Sequence, residues 1–194
     1  GRCSRTVRSR PTSESAPTWT PGDASVTRRG YAASIRTRAR GDNPVRGSRR
    51  LPTVTTADRP TASPPESVAV VIPAKDEQDR IATTVQAAAA LPGVDLVVVV
   101  DDGSTDRTAA MAGEADVVVV RHSRNRGKAA AMETGAAVVD AVESREREGT
   151  GPRALLFLDA DLGATAAKAE PLIDPVLDGS ADMTIATLPP QRSA

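Results

Sequence analysis

Three short, wholly apolar runs constrain this chain more than any other feature: Val68-Ala-Val-Val-Ile72, Leu96-Val-Val-Val-Val100 and Ala154-Leu-Leu-Phe-Leu158. None alternates apolar with polar residues, so none has the wet face of an exposed antiparallel strand. Each reads as a strand buried on both sides, the mark of a parallel sheet. Val117–Val120 is a fourth strand of the same kind, and Asp182–Ala186 is a candidate fifth. Helical stretches lie between them. Asp76–Ala90 has acidic residues in its first turn and Ile81, Val85 and Ala88 or Ala89 on one face. Ser104 or Thr105 can cap a helix through Met111, and an Ala-rich helix runs from about Lys128 to Ser144. Thr165–Leu177 is helical in pattern, although Pro171 and Pro175 disfavour its second half. Strand and helix in alternation imply an α/β fold with a mostly parallel sheet, right-handed crossovers and helices on both faces.

The formal net charge of zero conceals two unlike regions. Residues 1–66 hold 13 Arg and 5 acidic residues, a balance of +8, while residues 67–194 carry −8. The first region is rich in Ser, Thr, Pro and Gly and shows neither a helical nor a strand period, so it reads as a disordered basic tail. Its Trp19 and Tyr31 are too isolated to stack nucleic-acid bases, and no nucleic-acid partner is expected. The folding domain is residues 67–194. Cys3 is the single cysteine, which excludes an internal disulfide or a cysteine zinc site and suits a cytoplasmic setting. No apolar run approaches the roughly 20 residues that span a bilayer.

Open α/β sheets bind ligands beyond the carboxyl ends of their strands. Three such ends here are polar: Pro73-Ala-Lys-Asp-Glu77, Asp101-Asp-Gly-Ser104 and Asp159-Ala-Asp161. Asp159 and Asp161, one residue apart on a chain leaving the sheet, can face one Mg²⁺ or Mn²⁺ whose remaining ligands are phosphate and water, or they are solvated strand-end acids. Asp101 and Asp102 can accept from a nucleobase or ribose, and Asp-Asp-Gly-Ser equally suits a turn and helix cap. Arg124-Asn-Arg-Gly-Lys128 opens a helix, where backbone N–H groups and Lys128 suit a phosphate; the alternative is a solvated basic loop. His122 has no Cys or His partner nearby in sequence and reads as a surface residue.

In this order the motifs resemble the family-2 glycosyltransferases of GT-A fold. The matching stretches are Val71-Ile-Pro-Ala-Lys-Asp-Glu77, Val100-Asp-Asp-Gly-Ser-Thr-Asp106, Asn125-Arg-Gly-Lys128 with Gly135, and Phe157-Leu-Asp-Ala-Asp-Leu162. Within the family the chain is most similar to polyprenyl-phosphate sugar synthases and glucosyl-3-phosphoglycerate synthase-like enzymes. The resemblance implies a Rossmann-like nucleotide-sugar-binding domain and transfer of a hexose from a UDP- or GDP-sugar to an acceptor, either a polyprenyl phosphate or a small phosphorylated acid. It implies that Pro73, Ala74, Glu77, Asp101, Asp102, Lys128 and Asp159 contact the nucleotide sugar. Asp159 and Asp161 would form the D-x-D metal pair, Asp161 being the more direct ligand of Mg²⁺ or Mn²⁺. Two stretches depart from the family's habits, Leu162-Gly-Ala-Thr165 after the pair and Thr187-Leu-Pro-Pro190 near the end. The acceptor site and catalytic base of such enzymes lie in a second half, so this chain reads as truncated after its donor half. Membrane association is then expected only through a lipid-linked acceptor. The alternative is a non-catalytic nucleotide-sugar-binding fragment. No G-x-G-x-x-G follows the first strand, which disfavours an NAD-binding domain. The Gly-rich, Arg-containing loop of nucleotidyltransferases is also missing there.

Overall fold

The computed structural model describes residues 24–28, 64–146 and 151–187. Strand β1 is Ala24–Arg28, β2 is Ser67–Ala74, β3 is Val94–Asp101, β4 is Val118–His122 and β5 is Arg153–Phe157. Helix α1 is Ile81–Ala89, α2 is Thr108–Ala112, α3 is Lys128–Glu146 and α4 is Asp174–Leu177, with a 3₁₀ segment over Ala160–Leu172. The sheet order is β1-β4-β3-β2-β5. β2, β3, β4 and β5 are parallel, and β1 lies antiparallel on the outer edge of β4. The α/β architecture with a mostly parallel sheet is as the apolar runs require.

Valine-rich strands suit the centre because each residue has a helix layer to meet on either side. Val70, Ile72, Val97 and Val99 face one layer, where Ile81, Val85 and Ala88 of α1 and Ala166 and Ala169 of the 3₁₀ segment cover them. Ala69, Val71, Val98, Val100 and Val120 face the other, against Ala131, Val138, Val139 and Val142 of α3. Full burial of one such Val or Ile side chain contributes about 1.5–3 kcal/mol. Gly135 lets α3 approach β2 closely, since a Cβ there would sit 2.2 Å from Val71 Cγ1.

Several elements differ from expectation. The reading of residues 1–66 as without regular structure fails for Ala24–Arg28, where Val26 pairs with Val120. The open edge of β4 supplies unpaired backbone groups, and Ser-Val-Thr suits a pleated edge. The rest of that region up to residue 63 lies outside the described residues. Helix α1 begins five residues after Asp76. Asp76 has φ 53°, its N–H donates to Ser104 Oγ and its Oδ1 accepts from the Thr105 N–H, so these bonds to the β3–α2 loop hold it out of the helix. Helix α2 likewise starts later than expected, with Asp106 Oδ1 accepting from the Thr108 N–H in place of a cap by Ser104 or Thr105. Residues 160–172 form 3₁₀ turns interrupted at Gly163, with α-helix only over Asp174–Leu177. Pro171 offers no N–H to an α-helical ladder.

Residues 182–187 form no strand, and Met183 and Ile185 are 72% and 71% exposed. Strand propensity expresses fit to a half-buried pleated surface, and this segment docks elsewhere, with Thr184 Oγ1 donating to Leu172 O. Among the described residues no helix is long and apolar enough to cross a membrane.

Candidate functional site

The carboxyl ends of β2, β3 and β5 and the first turn of α3 border one cleft of about 360 Å³, a volume within the usual range for small-molecule sites. Pro73, Ala74, Lys75 and Glu77 line it from β2 and the following loop, and Asp102 lines it from β3. Asn125, Gly127, Lys128 and Ala131 come from the α3 end, and Asp159, Ala160 and Asp161 from β5. The fold therefore gathers Pro73, Ala74, Glu77, Asp102, Lys128, Asp159 and Asp161, as the motifs led us to expect. Asp101 is not brought there.

Two neighbouring carboxylates at the end of β3 have opposite fates. Asp101 is fully buried; its Oδ1 accepts from the Ser104 N–H at 2.9 Å and its Oδ2 lies 3.1 Å from Arg121 Nε. It closes the turn as one reading of the sequence allowed. Strand alternation sends the next side chain the other way, towards the cleft. Asp102 Oδ1 accepts from the Arg126 N–H and from His122 Nδ1, and Oδ2 accepts from the Gly127 N–H at 2.7 Å. Burial pushes the Asp102 carboxyl up in pKa, but the His122, Arg126 and Gly127 hydrogen bonds outweigh it and hold the group below its ordinary value. Gly103 makes the crossing possible. Its φ is 70°, and a Cβ would lie 2.5 Å from the Arg124 carbonyl carbon and 2.6 Å from Asn125 N.

His122 is 1% exposed, which overturns its reading as a surface residue. No neighbour in sequence announces its partners. Asp102 is 20 residues away, and Thr134, whose Oγ1 lies 3.0 Å from His122 Nε2, comes from the second turn of α3. The parallel β3–β4 pairing brings Asp102 and His122 side by side.

The β5 side is looser. Lys128 Nζ meets Asp159 Oδ1, with the two side chains 61% and 57% exposed, and Arg80 Nη1 lies 3.8 Å from Asp161 Oδ2. Such exposed pairs contribute little to stability. What positions the turn is Thr84, buried on α1: its hydroxyl lies 2.7 Å from Ala160 O, to which it donates, and it accepts from the Gly163 N–H at 2.8 Å. A lone threonine within an apolar helical face gave no sign of this role in the sequence.

Among the described residues no group of three or more His, Cys, Asp or Glu side chains could hold a metal ion. The donor set is therefore two exposed carboxylates beside Lys128. It fits a hard cation that takes its other ligands from phosphate and water, and it does not fit an all-protein cage. In the loop after β2, Asp76 is held at about 2 by its hydrogen bonds to Lys75 and to the Thr105 N–H. The same contact raises the pKa of Lys75.

The family model described as Glycosyl transferase family 2 matches residues 69–193. The succinoglycan biosynthesis protein ExoU of Rhizobium meliloti (strain 1021) is 48% identical over 52 residues, which cover 27% of this chain and 15% of ExoU. Among solved structures, glucosyl-3-phosphoglycerate synthase of Mycobacterium tuberculosis in complex with Mn²⁺, UDP and glucosyl-3-phosphoglycerate is 26% identical. Its TM-score is 0.46, covering 58% of this chain and 40% of that one. The same protein with Mn²⁺, UDP-glucose and phosphoglyceric acid is 27% identical, with TM-score 0.46 and coverage of 59% and 40%. This chain thus spans well under half the length of each of these relatives. The mostly parallel sheet with helices on both faces is the α/β layout that the sequence implied.

Proposed function

The chain belongs to glycosyl transferase family 2, and from that premise we propose that its cleft binds the nucleoside-diphosphate end of a UDP- or GDP-sugar. The supporting observation is the convergence of Asp102, Lys128, Asp159 and Asp161, from three separate elements, on one cleft at the carboxyl edge of the sheet. Asp102 Oδ2 has one protein donor and keeps a lone pair for a base N–H or a ribose hydroxyl. Lys128 and the backbone at the start of α3 suit the diphosphate. Asp159 and Asp161 would hold Mg²⁺ or Mn²⁺, which supplies charge neutralisation to a departing diphosphate when bound. The exposed Lys128–Asp159 pair is one a ligand can separate at small cost, turning the lysine to phosphate.

Transfer to an acceptor, a polyprenyl phosphate or a small phosphorylated acid, belongs to the same proposal. A second reading, donor binding without transfer, is favoured by one observation. The acidic groups lining the cleft are Glu77, Asp102, Asp159 and Asp161, and all four are assigned to nucleotide or cation, leaving none there as an acceptor base.

Isothermal titration of the full chain with UDP-glucose and GDP-mannose, with and without Mn²⁺, tests the donor site. One donor should bind in the presence of metal, and Asp161→Ala should weaken that binding by at least about tenfold, the equivalent of roughly 1.4 kcal/mol. Absence of binding by both donors under every metal condition would sink the proposal. Release of free sugar or its transfer to an added acceptor separates catalysis from binding alone.

A further inference from the structure

The His122 imidazole is a buried ionisable group beside the cleft, 1% exposed, yet it does not line it. Its two nitrogens tie β4 to the end of β3 and to α3. Nδ1 lies 2.7 Å from Asp102 Oδ1, at the end of β3, and Nε2 lies 3.0 Å from Thr134 Oγ1, on α3. His122 itself ends β4, and Asp102 carries the tether onward to the N–H groups of Arg126 and Gly127 in the loop that opens α3. A carboxylate only accepts, so Nδ1 carries a proton and donates to Asp102. The Thr134 hydroxyl has Ala130 O at 2.8 Å, so it can donate there and accept from Nε2, or turn its proton to Nε2. Both arrangements leave every polar atom of the imidazole satisfied, as a buried group requires.

The consequence lies in which oxygen Asp102 presents. With donors from His122 and Arg126, Oδ1 has both lone pairs engaged; Oδ2 has only the Gly127 N–H. An apolar residue at position 122 would fill the space but leave the carboxylate held from the loop side alone. We infer that His122 is a positioning residue for the nucleotide site, fixing the Asp102 carboxylate and the Arg126–Gly127 backbone so that Oδ2 faces the base or ribose of the ligand. The inference rests on the reading of the cleft as a nucleotide site.

The experiment is titration of the full chain with UDP and with GDP in the presence of Mn²⁺, for wild type, His122→Leu, His122→Asn and Thr134→Val, alongside thermal melting and amide exchange. His122→Leu should weaken binding about tenfold, the effect of losing one hydrogen bond to a charged group. His122→Asn, whose amide N–H can take the place of Nδ1, should restore affinity to within about threefold of wild type. Thr134→Val, which frees the far end of the imidazole, should cost about threefold. Wild-type affinity in a folded His122→Leu, or an Asn variant as weak as the Leu variant, overturns the inference. If His122→Leu does not fold, Thr134→Val decides, and undiminished binding by that variant overturns it.

The two readings fail separately. Wild type that binds neither nucleotide removes the proposed function. The tether is then judged by the Arg126 and Gly127 amides, whose exchange should quicken in Thr134→Val and stay unchanged if His122 positions nothing.

Discussion

The two ends of the cleft are built differently. At the β3–β4 end, Asp102 and His122 are 4% and 1% exposed, and each of their polar atoms meets a protein partner. At the β5 end, the side chains of Asp159 and Asp161 are 57% and 53% exposed and meet the exposed cationic side chains of Lys128 and Arg80. The contrast separates geometry formed in advance from geometry that a ligand must complete. Groups that select a base or ribose gain from being fixed before binding, because the ordering cost is already met in folding. Carboxylates that share a cation with a diphosphate are better left solvated and adjustable, since full burial without that cation would cost several kcal/mol.

The comparison breaks most severely at Gly135. Placing a methyl group 2.2 Å from Val71 Cγ1 must push α3 away from β2, so Gly135→Ala should lower stability by about 3 kcal/mol, read from urea unfolding. The shift would also move Lys128 and Thr134, disorganising the buried end first. A variant as stable as wild type would show that α3 is not seated by this contact.

Acid sharpens the comparison. Asp76 is held at about 2 against an ordinary 3.8, so its folded form is favoured while the carboxylate is ionised. That stabilisation is complete above the ordinary value and is lost as pH falls through about 2. Asp102, also held low, acts in the same direction. The urea midpoint of wild type should fall more steeply from pH 4 to pH 2 than that of Asp76→Asn. Parallel curves would remove the role of the Asp76 contacts with Lys75 and Thr105. The smallest effect is expected at the open end. Asp161→Ala should change stability by no more than about 0.5 kcal/mol, as for a surface site without buried partners, while its effect on metal-dependent binding is large.

Asp101 and Asp102 show how far residue order reaches. Both belong to a motif that marks a ligand edge, and the order of residues places them there. Which one enters the cleft depends on the pleat of β3 and on Gly103 passing beneath Arg124 and Asn125. His122 and Thr84 are harder cases. Neither belongs to a recognisable motif, and the partner of each lies on another element. Asp182–Ala186 errs in the other direction, because its strand-like composition has no paired neighbour in the described sheet.

By itself, then, the sequence determined the α/β class, the four parallel strands, the polar strand ends and seven of the eight expected cleft residues. Those features arise from local composition and period, which survive in a linear reading. Tertiary structure alone decided the added edge strand, the burial of Asp101, the late start of α1 and the Asp102–His122–Thr134 tether. Each of these depends on contacts between residues far apart in the chain, the Asp101–Arg121 pair among them, and such a contact has no partner until folding brings one within about 3 Å.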